Sequence, residues 1–410
     1  MIISNRVKNL KTSVTLKLNE LANQLAAKGQ TIYNLTAGQL PFHPPQEFVN
    51  LINAELKFMK SFQYSPVGGV EALCEKLMSY IEGTRNIHWD RSKYGAIISN
   101  GAKHSIFNLL GALINPGDEV VFIAPYWISY PPMVESWGGV CASVTGKNFH
   151  GFIPYVQNVE KIITDKTRVI ILNAPNNPTG VNYNKEWMEE FAVMIKKYPQ
   201  IAIISDEIYY SICYFDPTPY YFYHHDSSLL ERTFVVDGIS KTMACTGLRI
   251  GVTIGPKEII SACNKLQGHT TSGANSLVQQ ALNNYPLEHV EEYLLPIRTH
   301  LRNNANTIRN IFRDKSLAHL WYQTTAAFYF MVDFSLAPVF KKYHTKTNVP
   351  VTNEDYSNQI CQDLLEKYGV AIVPGTDFGL PNSGRLSLVM ENNIFTKAIE
   401  LLATFLNDSP

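Results

Sequence analysis

The chain has 410 residues, 45% of them apolar and only 17% charged, and its 35 basic and 35 acidic side chains cancel. An average globular protein carries roughly 25% charged residues, so this chain has apolar material for a large core and for a subunit interface. The balanced charge provides no basic face for nucleic acid or an anionic membrane, and a prior of about 150 residues per domain gives two or three domains.

The N-terminal stretch MIISNRVKNLKTS lacks the apolar core and small-residue cleavage site of a secretory signal. No apolar run reaches the ~18 residues of a membrane helix. Cys74, Cys141, Cys213, Cys245, Cys263 and Cys361 show no C-x-x-C spacing. They read as free, mostly buried thiols in a reducing compartment, and the expected location is cytoplasmic.

Strands and helices alternate through the middle of the chain. YGAIISN (Tyr94 to Asn100) reads as a strand. The helix after it carries Ile106, Leu109, Leu110 and Leu113 on one face and is stopped by Asn115-Pro116-Gly117. EVVFIAP, RVIILNAP, IAIISDE, TFVVDG and GVTIG are further short apolar runs. They do not alternate, as expected of strands buried on both faces. With helices such as KEWMEEFAVMIKKY between them, the pattern predicts an α/β fold with a mostly parallel sheet flanked by helices.

Beyond about Pro296 the texture changes. A helical stretch, RTHLRNNANTIRNIFRD, leads to AAFYFMVDF, expected to alternate as a strand with one exposed face. The helix NQICQDLLEKYG, the short strands VAIVP and GRLSLVM, and the amphipathic helix IFTKAIELLATFL follow. This predicts a smaller α+β domain over 297–410, a large domain over 46–296, and an N-terminal arm over 1–45 that joins the small one.

Ligands in open α/β sheets bind beyond the carboxyl ends of the strands. Gly101, Ala102 and Lys103 open a helix there, Asn177 follows in NNPTG, and Asp206 ends a strand with Tyr209 just after it. Lys241 stands beyond the run TFVVDG, and Arg249 precedes the next strand. Lys241 and Arg249 sit in the otherwise apolar stretch VVDGISKTMACTGLRIG. A buried cation must be paired, neutralised or used covalently. One cofactor suits the set. A helix N-terminus and an arginine hold a phosphate, a neutral lysine forms a Schiff base, and a carboxylate holds the proton on a pyridine nitrogen, as for pyridoxal phosphate.

G-I-S-K-T-M-A-C-T-G-L-R-I-G resembles the lysine signature of the class I aminotransferases. NAPNNPTG and SDEIY resemble that family's asparagine and aspartate–tyrosine motifs, QYSPVGG its tyrosine motif, and GRLSLV its C-terminal arginine motif. The resemblance runs from about Ser13 to Leu402, and NGAKHSIFNLL, PYWISYPPMV and VPGTDFG point to its bacterial aspartate/prephenate branch. It implies the fold type I of pyridoxal-phosphate enzymes, with Lys241 as Schiff-base lysine and general base. Asp206 would serve the ring nitrogen, and Tyr209 and Asn177 the ring oxygen. Arg249, Ser240 and the Gly101–Lys103 helix start would hold the phosphate, and Trp127 would stack on the ring. It further implies Arg385 and the Gly38 N–H on the substrate α-carboxylate, and Lys103, Ser13 and Thr15 on a distal carboxylate. Tyr64 would reach the phosphate of a neighbouring subunit, making a homodimer with shared active sites. Amino acids and 2-oxo acids would be its small-molecule partners, with no nucleic acid or membrane expected.

The chain departs from the pattern in places. Gly238 stands where many relatives have a phosphate-binding serine, so that Ser240 or a backbone donor replaces it. Gln39-Leu40-Pro41 replaces the branch's Glu-Pro-Asp, and Ala337 to Asp355 is longer than usual. The expected reaction is a ping-pong transamination of aspartate with 2-oxoglutarate. The alternatives are an aromatic or prephenate aminotransferase and a β-lyase cleaving C–S bonds. A regulatory protein would need a DNA-binding domain, and a nicotinamide dehydrogenase a G-x-G-x-x-G turn. Adjacent His224 and His225 point apart, which argues against a metal site, and YYFYHHDSSLLER reads as a loop near the entrance.

Overall fold

The computed structural model describes residues 3–4, 7–8, 14–215, 218–344 and 354–409. After a two-residue strand, β1 (Tyr33–Asn34), the central sheet forms from β2 (Tyr94–Asn100), β3 (Glu119–Ala124), β4 (Val140–Thr145), β5 (Thr167–Asn173), β6 (Ala202–Asp206), β7 (Thr233–Gly238) and β8 (Ile250–Pro256). Its order is β2-β8-β7-β6-β5-β3-β4. All neighbours run parallel except β8, which is antiparallel to both β2 and β7.

The unbroken apolar runs fill two cores. Along β2, β5, β6 and β7, Ile98, Ile170, Ile203 and Val235 face one cluster, and their neighbours Ile97, Ile171, Ile204 and Val236 face the other. A strand that sheds both faces from water needs no polar alternation. β4, at the sheet edge, is the strand that the reading of the sequence passed over. Its residues VCASVT are partly or fully exposed, so they carry no apolar run, only the weak alternation of Val140, Ala142 and Val144.

The C-terminal elements build a smaller antiparallel sheet, in the order β11 (Val373–Pro374), β12 (Ser383–Ser387) and β9 (Tyr329–Asp333). β1 pairs in parallel with β10 (Val370–Ala371), which ties the N-terminal segment to these elements. The expected exposed face of β9 is absent: Tyr329, Phe330, Met331 and Val332 are all buried. Phe330 stacks on Tyr322 at 4.7 Å, while Tyr329 turns to the central cavity, so both faces are covered. The long helix begins well before Arg298, at His289, and runs to Asp314 with Pro296 inside it. The sequence around His224 is not a loop near the entrance. It forms the short helix Phe222–His225, and none of its residues lines the central cavity.

Reversal of β8 has a local requirement. Gly251 pairs with Gly238 across the β7–β8 ladder. A Cβ on Gly251 would lie 2.3 Å from the Ala102 backbone nitrogen and 2.4 Å from the Gly101 carbonyl carbon. The start of the helix Ala102–Leu113 therefore rests directly on β8. Gly251→Ala is expected to push that helix start outward and cost about 1–3 kcal/mol, the range for overpacking a tight site. A urea denaturation curve with an unchanged midpoint would contradict this.

Candidate active site

A cavity of about 670 Å³ opens at the carboxyl ends of the parallel strands. β6 delivers Asp206 to its floor, and β5 ends there in Asn173. Because β8 is antiparallel, its beginning lies at the same rim. Lys241 and Arg249, both in the connection between β7 and β8, thus meet in one place. β12 contributes Arg385 from the smaller sheet.

Asp206 is buried and accepts a hydrogen bond from the Tyr130 hydroxyl at 2.5 Å. Burial raises its pKa to about 6, against the lowering effect of the Tyr130 bond and of the Ile208 N–H. Burial pushes the Lys241 ammonium down to about 8, aided by the nearby Arg385 and Arg249 and opposed by Asp206. Its Nζ donates to the Gly38 carbonyl at 2.5 Å, so Gly38 offers its oxygen to Lys241. An amine that sheds its proton near neutrality is a usable nucleophile and base.

Asn177 is held from two sides. Its N–H donates to Asn173 Oδ1 at 2.8 Å, and its Oδ1 accepts from Arg385 Nη1 at 3.2 Å. Its Nδ2 stands 3.5 Å from the Tyr209 hydroxyl, which in turn meets the Tyr329 hydroxyl at 3.1 Å. Arg385 is buried between the rings of Tyr329 and Phe378, at 4.5 and 5.0 Å. Its Nη2 donates to the Thr36 carbonyl at 3.0 Å, but its Nε is buried without an acceptor among the described residues. A buried guanidinium with an unspent donor fits a carboxylate ligand.

Arg249 adopts φ +57° and donates to the carbonyls of Thr246 and Asn100 at 2.8 and 3.1 Å. It lies against Gly101, where a Cβ would come 2.4 Å from Nη2, and Gly101 itself has φ +83°. Only glycine satisfies both demands. The Ala102 and Lys103 N–H groups, at the helix start, have no intrahelical acceptor, so amides and guanidinium together form an anion cradle. Gly238 leaves no room for a serine, because a Cβ there would lie 2.6 Å from the Ile250 carbonyl. Ser240 lines the cavity and offers a hydroxyl there, as does Thr246.

Lys103 lies in the cavity wall with Nζ 5.0 Å from the Trp127 ring. Burial lowers its pKa, and Arg249 adds to the effect. Tyr64 is 95% exposed and outside this cavity. Ser13 lies outside the described residues, as does the Thr15 side chain. The lining also includes Thr36, Gln39, Asn173, Thr246, Tyr329 and Phe378. Asn173 and Tyr130 had a readable signal, a lone amide ending an apolar run and a tyrosine three residues after Trp127. Tyr329 had none. Lys103, Lys241, Arg249 and Arg385 face Asp206 as the lone carboxylate among the lining residues, a balance suited to polyanionic ligands.

The class I and II aminotransferase family model matches residues 30–402. The chain belongs to that family. An aspartate aminotransferase of Bacillus sp. strain YM-2 is 30% identical over 98% of this chain and 99% of its own. A probable aspartate/prephenate aminotransferase of Rickettsia felis is 33% identical over 94% and 92%. The Thermus thermophilus aspartate aminotransferase solved with maleate superposes with a TM-score of 0.86, at 30% identity, over 99% of this chain and 100% of that one. The fold is thus that of the type I pyridoxal-phosphate enzymes, and the chain is a pyridoxal-phosphate-dependent transaminase. The donor set fits the cofactor: an anion cradle, a buried carboxylate and a lysine of lowered pKa.

Two pH dependences follow. If Asp206 holds a ring N–H it must be ionised, so cofactor affinity, measured by fluorescence titration, should fall as pH drops through about 6. If Lys241 is the attacking amine it must be neutral, so the rate at which the visible cofactor band forms should rise about tenfold per pH unit below 8 and level off above it. Flat profiles would contradict both assignments.

Proposed function

We propose that this transaminase moves the amino group of aspartate to 2-oxoglutarate by a ping-pong cycle. The observation that carries the reading is Arg385, buried with an unspent Nε, together with the leftover cation Lys103 in the same cavity. The maleate held by the Thermus thermophilus relative is a dicarboxylate, which favours the same substrate class. The aspartate/prephenate name of the Rickettsia relative keeps prephenate as the second reading.

Pyridoxal phosphate, when bound, supplies the carbonyl that takes up the amino group and a sink for the electron pair of the Cα–H bond. The residues around it would divide the remaining work. Arg249, Ser240 and the 102–103 amides would hold the phosphate. The Asp206 carboxylate, oriented by Tyr130, would keep a proton on the ring nitrogen. Tyr209 and Asn177 would bind the ring oxygen, and Trp127 would cover one ring face. Arg385 grips the α-carboxylate with two parallel bonds, helped by the Gly38 N–H, and aims the Cα–H at Lys241. Lys241, with its lowered proton affinity, would be the base that takes the Cα proton and hands it back. Lys103 would receive the distal carboxylate.

The chain works as a cytoplasmic homodimer in this reading. Leu56, Phe58, Met59, Phe62 and Tyr64 are exposed within one short segment, an apolar strip that a second copy would cover, and Tyr64 would reach the neighbouring phosphate. The large domain spans 46–296 and the smaller 297–410, with residues 1–45 joining the latter through β1 and β10. The large-to-small boundary then falls inside the helix His289–Asp314.

L-aspartate added alone should convert the visible cofactor band to the amino form. Accumulating pyruvate with a persistent band would instead establish a β-lyase. Lys103→Ala should raise the KM for aspartate at least tenfold while changing that for an aromatic donor less than threefold, and equal effects on both would remove Lys103 from the distal site. Arg385→Lys, losing the fork, should lower kcat/KM by about 10–100-fold, the equivalent of a charge-assisted hydrogen bond.

A further inference from the structure

Behind the cavity floor lies a cluster of charge that the chemistry above does not use. Arg85, the last residue of the helix Glu71–Arg85, is completely buried. Its Nε donates to Glu207 Oε2 at 3.1 Å and its Nη2 to Asp237. Its Nη1 donates to the Thr84 hydroxyl at 2.8 Å, and the guanidinium lies 3.6 Å from the centre of the Tyr210 ring. Every nitrogen is engaged. Glu207 is filled as well: its Oε1 accepts from Ser205 at 2.7 Å and from Tyr223 at 2.9 Å. Asp237 Oδ1 accepts the Gly238 N–H at 2.7 Å.

The positions of these two carboxylates matter more than their charge. Glu207 directly follows Asp206. Asp237 precedes the turn Gly238–Ile239–Ser240 that ends in Lys241. β6 and β7 are already in register through Asp206 and Val236, and the Glu207 N–H donates to the Val236 carbonyl at 2.8 Å. Beyond that bond the two chains separate, one toward Tyr209 and the other toward Lys241. Arg85 spans the gap at this point with a planar fork, the geometry that fixes two carboxylates relative to each other. A lysine gathers its three donors on one nitrogen and lacks the separate Nε and Nη2 that reach the two carboxylates here.

We propose that Arg85 is a positioning residue: by joining Glu207 to Asp237 it sets the separation of the Asp206 carboxylate from the Lys241 amine, and so the seat of the cofactor ring between them. This rests on the roles given above to Asp206 and Lys241.

Three variants test it in the full chain loaded with pyridoxal phosphate, with L-aspartate and 2-oxoglutarate as substrates. Arg85→Lys keeps the charge and loses the span. It should leave the circular dichroism spectrum and the KM for aspartate within threefold of the original, lower kcat at least tenfold, and speed cofactor dissociation at least tenfold. Arg85→Met combined with Glu207→Gln and Asp237→Asn removes the buried charges together. It should recover thermal stability but not kcat or cofactor retention. Arg85→Lys with kcat and cofactor dissociation within twofold of the original would overturn the proposal, as would a triple variant that regains full kcat. Failure of both variants to fold would make the role structural and overturn it too. Lys241→Ala separates this from the underlying reading: if it remains active, the site assignment itself is wrong. An unaltered chain that does not turn over aspartate would sink the substrate, and cofactor dissociation alone would then decide the role of Arg85.

Discussion

A carboxylate buried at the end of a central strand is the constraint on which the site depends. Among the described residues no cation hydrogen-bonds Asp206, which is held by the Tyr130 hydroxyl and one backbone N–H. Burying an ionised carboxylate is costly unless a partner supplies compensating charge. A ring N–H carrying positive charge would supply it. The same enclosure lowers the proton affinity of Lys241 nearby. One desolvated floor thus holds an acid that wants a cation and an amine that wants to be neutral, and in the proposed reading one ligand meets both demands.

The cavity wall repeats this logic with opposite sign. Arg385 is sandwiched between Tyr329 and Phe378, and its neighbours are an amide and a backbone carbonyl. Arg249 likewise spends its visible bonds on carbonyls. Neutral acceptors hold a guanidinium in place without cancelling its charge, which keeps it available to an anion. Asn177 links floor and wall, because it touches both Tyr209 and Arg385.

Much of this was legible in the sequence, and for a physical reason. Residues at strand ends beyond β2, β5, β6 and β7 interrupt apolar runs, so a polar group there stands out. Asp206, Asn177, Lys241, Arg249 and Arg385 all line the cavity. The edge strand β4 was lost because a half-exposed strand has no apolar run to show. The two buried faces of β9 were lost because one is covered by Tyr322, folded back from just upstream, and the other by Tyr209, from a distant part of the chain. Tyr329 and Thr36 reach the site through such packing, which no spacing encodes. Ion pairing between Arg85, Glu207 and Asp237 was equally invisible, since three charged residues separated along the chain give no local pattern.

The reversed strand β8 has one more consequence. Because Gly238 and Gly251 face each other across the ladder, the chain between them is a closed loop of fixed length, carrying Lys241 near one foot and Arg249 near the other. The offset between those two cations is therefore set at the feet, by the register of β7 against β8, and not by how many residues the loop holds between them. A slip of that register would carry one cation past the other, which no side-chain substitution within the loop would do.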